Sequence, residues 1–286
     1  MNFKVGDYVT RTSYDNDIVF VIVDIKENEA YLKGADVRLV ANSPLSDLNL
    51  CDDEEKRDEF LESLKSDDLL DRSNRDDFFY LPAKILHLDG DKDYLNKCLD
   101  FYKKNKVMAF GYTVKEEELD KYVSKYLNEI KPDILIITGH DAFYKKNGDK
   151  NDMNNYKNTM NFVKAVQEAR KYEKSHERLL VIAGACQSNY EELIKAGADF
   201  ASSPKRVNIH ALDPAIIATS ISLTEKNKEI NLIDLLEKTK YGTAGMGGLI
   251  VSGLMYVGYP RWKQFMKLRI LSKAIKEKEY LLKCLE

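Results

Sequence analysis

The stretch LLVIAGACQS, Leu179 to Ser188, decides the reading of this chain. An apolar run stops at a small-residue turn and delivers a thiol, Cys186, at its end. A run this short is a strand buried on both faces rather than a helix. PDILIITGHD, Pro132 to Asp141, repeats the design and ends in His140. AKILHLDGD, Ala83 to Asp91, ends in Asp89. KVMAFGY and ADFASS read as two further strands. Between them DYLNKCLDFYKKN, EEELDKYVSKYLNEI and TMNFVKAVQEARKYE space their apolar residues as amphipathic helices do, and NYEELIKAGA is a short helix closed by Gly197. Apolar strands alternating with such helices predict an α/β fold, a mostly parallel sheet with helices on both faces. Sites in such sheets form beyond the carboxyl ends of the strands, which is where Asp89, His140 and Cys186 fall.

Outward from this core the texture changes. Residues 1–50 hold VGDYVTR, DIVFVIVDI, EAYLK and DVRLVA, short β-rich runs separated by turn residues. They predict a small all-β accessory domain, an SH3-like barrel or a looser sheet. Residues 51–80 are crowded with charge and read as a linker, either a solvated helix or a flexible spacer. Residues 81–286 form the α/β domain, and the part after Trp262 reads as a basic amphipathic helix that packs at the end of the chain. GMGGLIVSG, Gly245 to Gly253, lacks the GK[ST] of a phosphate loop and reads as tight turns or close backbone approach.

The 286 residues are 44% apolar and 32% charged, with a net charge of -3. The lack of a basic excess argues against a general nucleic-acid binder. The longest apolar runs are too short to span a membrane, and MNFKVGDYVTR lacks the apolar core of a signal peptide. The expectation is a cytosolic protein with no nucleic-acid or membrane partner. Cys51, Cys98, Cys186 and Cys284 form no CxxC pair, so free thiols are expected rather than a zinc site, a dithiol motif or disulfides.

The chemistry follows from the strand ends. Ser188 with Glu191 fits a capping box, which would start a helix at about Asn189. The Cys186 thiol would then lie by a helix N-terminus, whose partial positive charge favours thiolate. The bland reading is a small buried hydrophobe. His140 weighs against it, because a thiol nucleophile needs an imidazole within reach to take its proton and pass it to a leaving amine. His210 is the rival base, His87 reads as a packed strand residue, and His176 lies in a charged stretch. Asp89 and Asp91 could bind a basic side chain, or serve as turn residues capping the next helix.

VGDYVTR, DVRL, LHLDGDKDYLNKCLDFYKK, KPDILIITGHDA and GACQSNYEELIKAGADFASSPKRVNIHALDP together resemble the YabG family of sporulation-specific proteases from endospore-forming bacteria. The resemblance runs to about Pro214 and is weaker beyond. It implies a cysteine endopeptidase with Cys186 and His140 as the catalytic pair. Its protein substrates would be spore-coat and related spore proteins, processed in the mother cell without metal or organic cofactor. The order of strands, His and Cys also resembles the caspase, gingipain and clostripain clan. There the His is usually followed by Gly; here Gly139 precedes His140 and Asp141 follows. The backbone N–H groups of Asp141 and Cys186 are therefore the expected oxyanion donors. The clan's specificity residue often ends the first strand, which implies Asp89, with Asp91 beside it, and cleavage after Arg or Lys. RSNRDD, Arg72 to Asp77, is then a candidate for self-cleavage. Two alternatives stay open: a Cys-His amidase acting on a small substrate, and a non-catalytic coat-assembly or adaptor protein.

Overall fold

The computed structural model describes residues 3–51, 60, 63–64, 78–144 and 148–260. Most of the expected linker, including RSNRDD, and the expected tail helix lie outside the described residues.

β1 (Tyr8–Arg11), β2 (Phe20–Lys26), β3 (Glu29–Gly34), β4 (Val40–Pro44) and β5 (Leu48–Leu50) form an antiparallel sheet in the order β4-β3-β2-β1-β5. Alternate residues of its strands face one way, and Val9, Phe20, Ile22, Ala30, Leu32 and Leu48 bury one another there. β6 (Phe79–Leu81) follows. The larger sheet comprises β7 (Ile85–Asp89), β8 (Ala109–Thr113), β9 (Ile134–Thr138), β10 (Leu180–Ala183), β11 (Phe200–Ser202) and β12 (Met246–Gly248). Its order is β12-β11-β10-β9-β7-β8, parallel throughout except for antiparallel β12. β13 (Tyr256–Gly258) returns to pair with β6.

The continuous apolar runs are explained by burial on both faces. Ile85, Ile134, Ile136, Leu180 and Ile182 pack on one side, with α1 (Lys92–Lys104) and with Ile216, Ile217 and Ile221 of a later helix. Leu86, Leu135, Ile137 and Val181 point the other way, against α2 (Leu119–Ile130) and α3 (Thr159–Tyr172). α4 (Tyr190–Lys195) is short, and Gly197 follows it at φ +111°, a left-handed conformation suited to glycine. α5 (Asp213–Leu223) is buried along its whole length and packs on the first face. The sequence reading did not assign it. The GMGG stretch supplies β12, where a Cβ on Gly247 would come within 2.9 Å of the Tyr190 ring. Close backbone approach, as expected, is what its glycines allow.

This topology positions the site. The chain leaves β7 for the edge strand β8 and then crosses back to β9, so the order reverses at β7. In the register Asp89 lies opposite Thr138, and Ile137 lies opposite Ala183. Three neighbouring strands thus end together, with His140 two residues past β9 and Cys186 three past β10.

One buried carboxylate anchors the opposite end of the sheet, where β10 and β11 begin. Asp199 accepts from Val181 N–H at 2.6 Å and pairs with Arg170 of α3 at 2.7 Å, while Arg170 also donates to the Gly197 and Leu179 carbonyls. Asp199→Ala would leave a largely buried guanidinium and an amide without their acceptor. It should cost about 3–5 kcal/mol, seen in urea unfolding as a lower midpoint at unchanged slope. A loss below about 1 kcal/mol, the scale of exposed pairs, would refute this role.

Candidate active site

His140 is held from three directions. Its backbone N–H donates to Glu116 Oε1 at 2.8 Å. Its ring meets Tyr94 edge-on, with centroids 5.7 Å apart. Its Nε2 lies 3.0 Å from Asp91 Oδ2. A carboxylate only accepts, so in the neutral imidazole that bond puts the proton on Nε2 and leaves Nδ1 as the bare nitrogen. Nδ1 is buried and has no hydrogen-bond partner among the described residues. Asp91 is also the N-cap of α1, accepting from Asp93 and Tyr94 N–H, and it receives Lys33 of β3 at 2.7 Å. Burial would raise its pKa, but the His140 and Lys33 bonds outweigh burial and hold the carboxyl well below the usual range.

Cys186 lies beyond a turn that only glycine enters easily. Gly184 has φ +106°, and a Cβ there would come within 2.8 Å of Leu193. Ala185 N–H donates to Ser188 Oγ at 2.9 Å, and Ser188 Oγ donates to Asp141 Oδ2 at 2.8 Å. The expected capping box does not form. Ser188 is committed to Asp141, and Asn189 caps α4 by accepting from Glu192 N–H. Asp141 also accepts from Asn158 N–H at 2.7 Å and Thr159 Oγ1 at 2.5 Å, so its side chain ties the loop after β9 to the loop after β10. Its burial raises its pKa.

Burial works against the expected thiolate. Cys186 is fully buried, and burial pushes its thiol up to about 12, against hydrogen bonding from the backbones of Ile209 and Arg38 that favours thiolate. Ile209 N–H donates to Sγ at 3.3 Å. His140 and Cys186 occupy adjacent strand ends, but no hydrogen bond joins them.

Asp89 is occupied. Arg38, from the turn between β3 and β4, donates Nη1 to Asp89 Oδ2 at 2.7 Å, and both side chains are fully buried. Arg38 Nη2 donates to Ala211 O at 3.0 Å. Thr138 Oγ1 and Asp91 N–H also donate to the carboxylate, and His87 Nε2 lies 3.5 Å from Oδ2. Burial would raise Asp89, but Arg38 and then His87 outweigh it and hold the carboxyl at about 2. Asp89 and Asp91, grouped together in the sequence reading, therefore face different partners: a guanidinium and an imidazole.

The sequence reading missed Arg38, Tyr94 and Glu116. The alternative reading of a turn aspartate capping the next helix holds for Asp91, the N-cap of α1. Arg38 carried no local signal, since its burial is created by contacts distant in sequence. The other histidines have partners of their own. His87 lies between Tyr102 Oη and Thr138 Oγ1, both at 2.9 Å. His176 Nδ1 lies 2.5 Å from Asp199. His210 is buried, and its Nδ1 accepts from Leu212 N–H.

These shifts set an acid sensitivity. Burial lowers His87 below its ordinary 6.5, so the unfolded chain binds this proton first. The stability from neutral His87 is present above about 6.5 and declines as pH falls below it. Asp89, held at about 2 against an ordinary 3.8, contributes stability present above the latter value and lost as pH falls through the former. The urea midpoint should fall between pH 7 and pH 5, and His87→Gln should flatten that slope. Parallel profiles for the two proteins would show that His87 is not responsible.

Residues 4–260 match the family described as YabG peptidase U57. The sporulation-specific protease YabG of Bacillus subtilis (strain 168) is 41% identical to this chain, over 91% of the chain and 99% of that protein. By both measures the chain belongs to the YabG peptidase U57 family.

Proposed function

We propose that this peptidase is a cysteine endopeptidase of sporulation that cleaves spore-coat and other spore proteins in the mother cell, after Arg in preference to Lys. The observation that carries the reading is the imidazole at the end of β9. It is oriented by Asp91, has its Nδ1 bare and buried, and lies beside the strand that delivers a thiol. Cys186 attacks the carbonyl, His140 carries the thiol proton to the leaving amine, and water resolves the thioester. Asp91 keeps Nε2 protonated, as a third group does in triads. The N–H groups of Asp141 and Cys186 have no acceptor among the described residues, which supports them as donors to the developing oxyanion. The strand order, with its antiparallel sixth strand, supports a caspase-like arrangement. The N-terminal sheet is read as an SH3-like accessory module. Self-cleavage at Arg72 to Asp77 remains part of the reading.

Asp89 is the pocket carboxylate in this reading. A guanidinium meets a carboxylate through directed hydrogen bonds that an ammonium does not match. The Arg38 side chain on Asp89 supports this preference directly. One observation favours a rival, non-catalytic reading: burial and the raised pKa of Cys186 describe an inert core thiol. Selective labelling of Cys186 over Cys98 by an alkylating reagent would speak against the rival.

Cys186→Ala and His140→Ala should each lower turnover of Arg peptides by at least about 10⁴-fold with the fold retained. Near-wild-type turnover by purified Cys186→Ala would sink the cysteine-peptidase reading.

The two acids should separate kinetically. Asp89→Ala should lower kcat/KM for Arg peptides roughly a hundredfold, about 3 kcal/mol, and erase the preference over Gln peptides. Asp91→Ala should lower kcat by about 10²- to 10⁴-fold with the Arg preference intact. Assays on matched Arg, Lys and Gln peptides decide it; an unchanged preference in Asp89→Ala moves the pocket elsewhere.

A further inference from the structure

Arg38 does more than neutralise Asp89, because its backbone is laid out as a bound peptide would be. Asp36–Arg38 runs antiparallel to Ile209–Ala211, with Val37 and His210 as bridge partners. Arg38 N–H donates to Ile209 O at 3.2 Å, and Ala211 N–H donates to Asp36 O at 2.9 Å. This is strand addition, the mode by which extended peptides are held along a cleft through main-chain bonds while side-chain pockets give specificity. The side chain at the pocket position is Arg, and the pocket carboxylate is Asp89. The strand it adds to is the one whose Ile209 N–H touches the Cys186 sulfur. Further contacts fix the segment from outside. Lys240 pairs with Asp36, Lys97 Nζ donates to Ala35 O at 2.5 Å, and the Tyr94 hydroxyl lies 2.8 and 2.9 Å from the Gly34 and Val37 carbonyls. Leu39 N–H closes a tight turn onto Val37 O at 2.9 Å, so the chain folds back directly after Arg38.

We propose that Asp36–Arg38 is the enzyme's internal first substrate: it fills the cleft against other proteins until Cys186 cuts the Arg38–Leu39 bond of the same chain. The inference rests on the cysteine-peptidase reading above and adds the bond and the closed state. The thiolate carbon–sulfur bond forms at the Arg38 carbonyl, and the bond to the Leu39 nitrogen breaks as His140 delivers the thiol proton to that amine. Water then splits the thioester, leaving an Arg38 carboxylate, a Leu39 amino terminus and the free thiol. β3 and β4 remain paired from Lys33 with Val40 to Glu29 with Pro44, so the two pieces stay in one sheet while the 34–39 tip is released. Release also lets water reach Cys186, which the seated segment helps to bury.

Freshly purified full-length protein, its Cys186→Ala variant and its Arg38→Gln variant test this by intact mass over time. Wild type should convert to residues 1–38 and 39–286, which separate only under denaturing conditions. The rate should be first-order and unchanged on dilution, and activity on an added Arg peptide should rise in step with the cut. Cys186→Ala should stay whole. Arg38→Gln should stay uncut at this bond, and its activity on the added peptide should stay flat over the same time course instead of rising. Iodoacetamide labelling of Cys186 should rise at least about a hundredfold on cutting, the order of the thiolate fraction regained when a thiol leaves a pKa near 12. Where Arg38→Gln fails to fold, the wild-type time course carries the test alone. A wild type fully active on the peptide, dependent on Cys186 and yet intact at Arg38–Leu39, overturns the inference and leaves the peptidase reading standing. Loss of the Cys186 dependence overturns both.

Discussion

A fully desolvated ion pair, Arg38 on Asp89, is the constraint around which the rest is arranged. Two charges removed from water are tolerated only when each is matched and its remaining hydrogen-bonding capacity is met. Asp89 meets that demand with Thr138 Oγ1 and Asp91 N–H as well as the guanidinium; Arg38 adds the Ala211 carbonyl, while its Nε is buried without a partner among the described residues. The same pair ties the N-terminal sheet to the parallel sheet, since Arg38 belongs to one and Asp89 to the other. It also explains the unusual environment of the thiol. The Arg38 backbone also acts on the Cys186 thiol, so one segment touches both the Asp89 carboxylate and the thiol.

Much of the fold could be read from local pattern. Ile134 to Ile137 and Leu180 to Ala183 are apolar at every position because both faces of their strands are packed, and such runs leave little choice but a covered parallel sheet. α5 escaped for the same reason. Its residues are buried on every side, so DPAIIATSISL has no polar face to give a helical period, and its β-branched residues lean towards a strand. β12 escaped because Met-Gly-Gly carries no strand signal; it pairs with β11 because its glycines let Tyr190, Pro204 and Phe200 press against the backbone.

The site was legible where topology alone decides. Asp89, His140 and Cys186 are strand-end residues, and adjacent strands in register bring their ends together whatever the loops do. Roles that depend on partners were not legible. Asp91 lies two residues from Asp89 in sequence, yet the turn at Gly90 sends one carboxylate to Arg38 and the other to His140 and Lys33. The helix-terminus argument for a thiolate meets two opposing features: Asn189, not Ser188, caps α4, and Cys186 is fully buried.

Glu116, in the turn before α2, links the ends of two strands. Its carboxylate lies against both Gly90 and Gly139, so that a Cβ on either glycine would collide with it, and one of its oxygens holds the His140 amide. The three positions form a single fitted part, although 49 residues of numbering separate the outer two, as they do the Asp91–His140 bond one residue further on. Divergence within the family is thereby channelled: a side chain gained at either glycine demands a smaller residue at 116, and a smaller residue at 116 frees the His140 amide. Protein engineers who wish to reshape this cleft can treat Gly90, Glu116 and Gly139 as one unit of design, exchanged together or left alone.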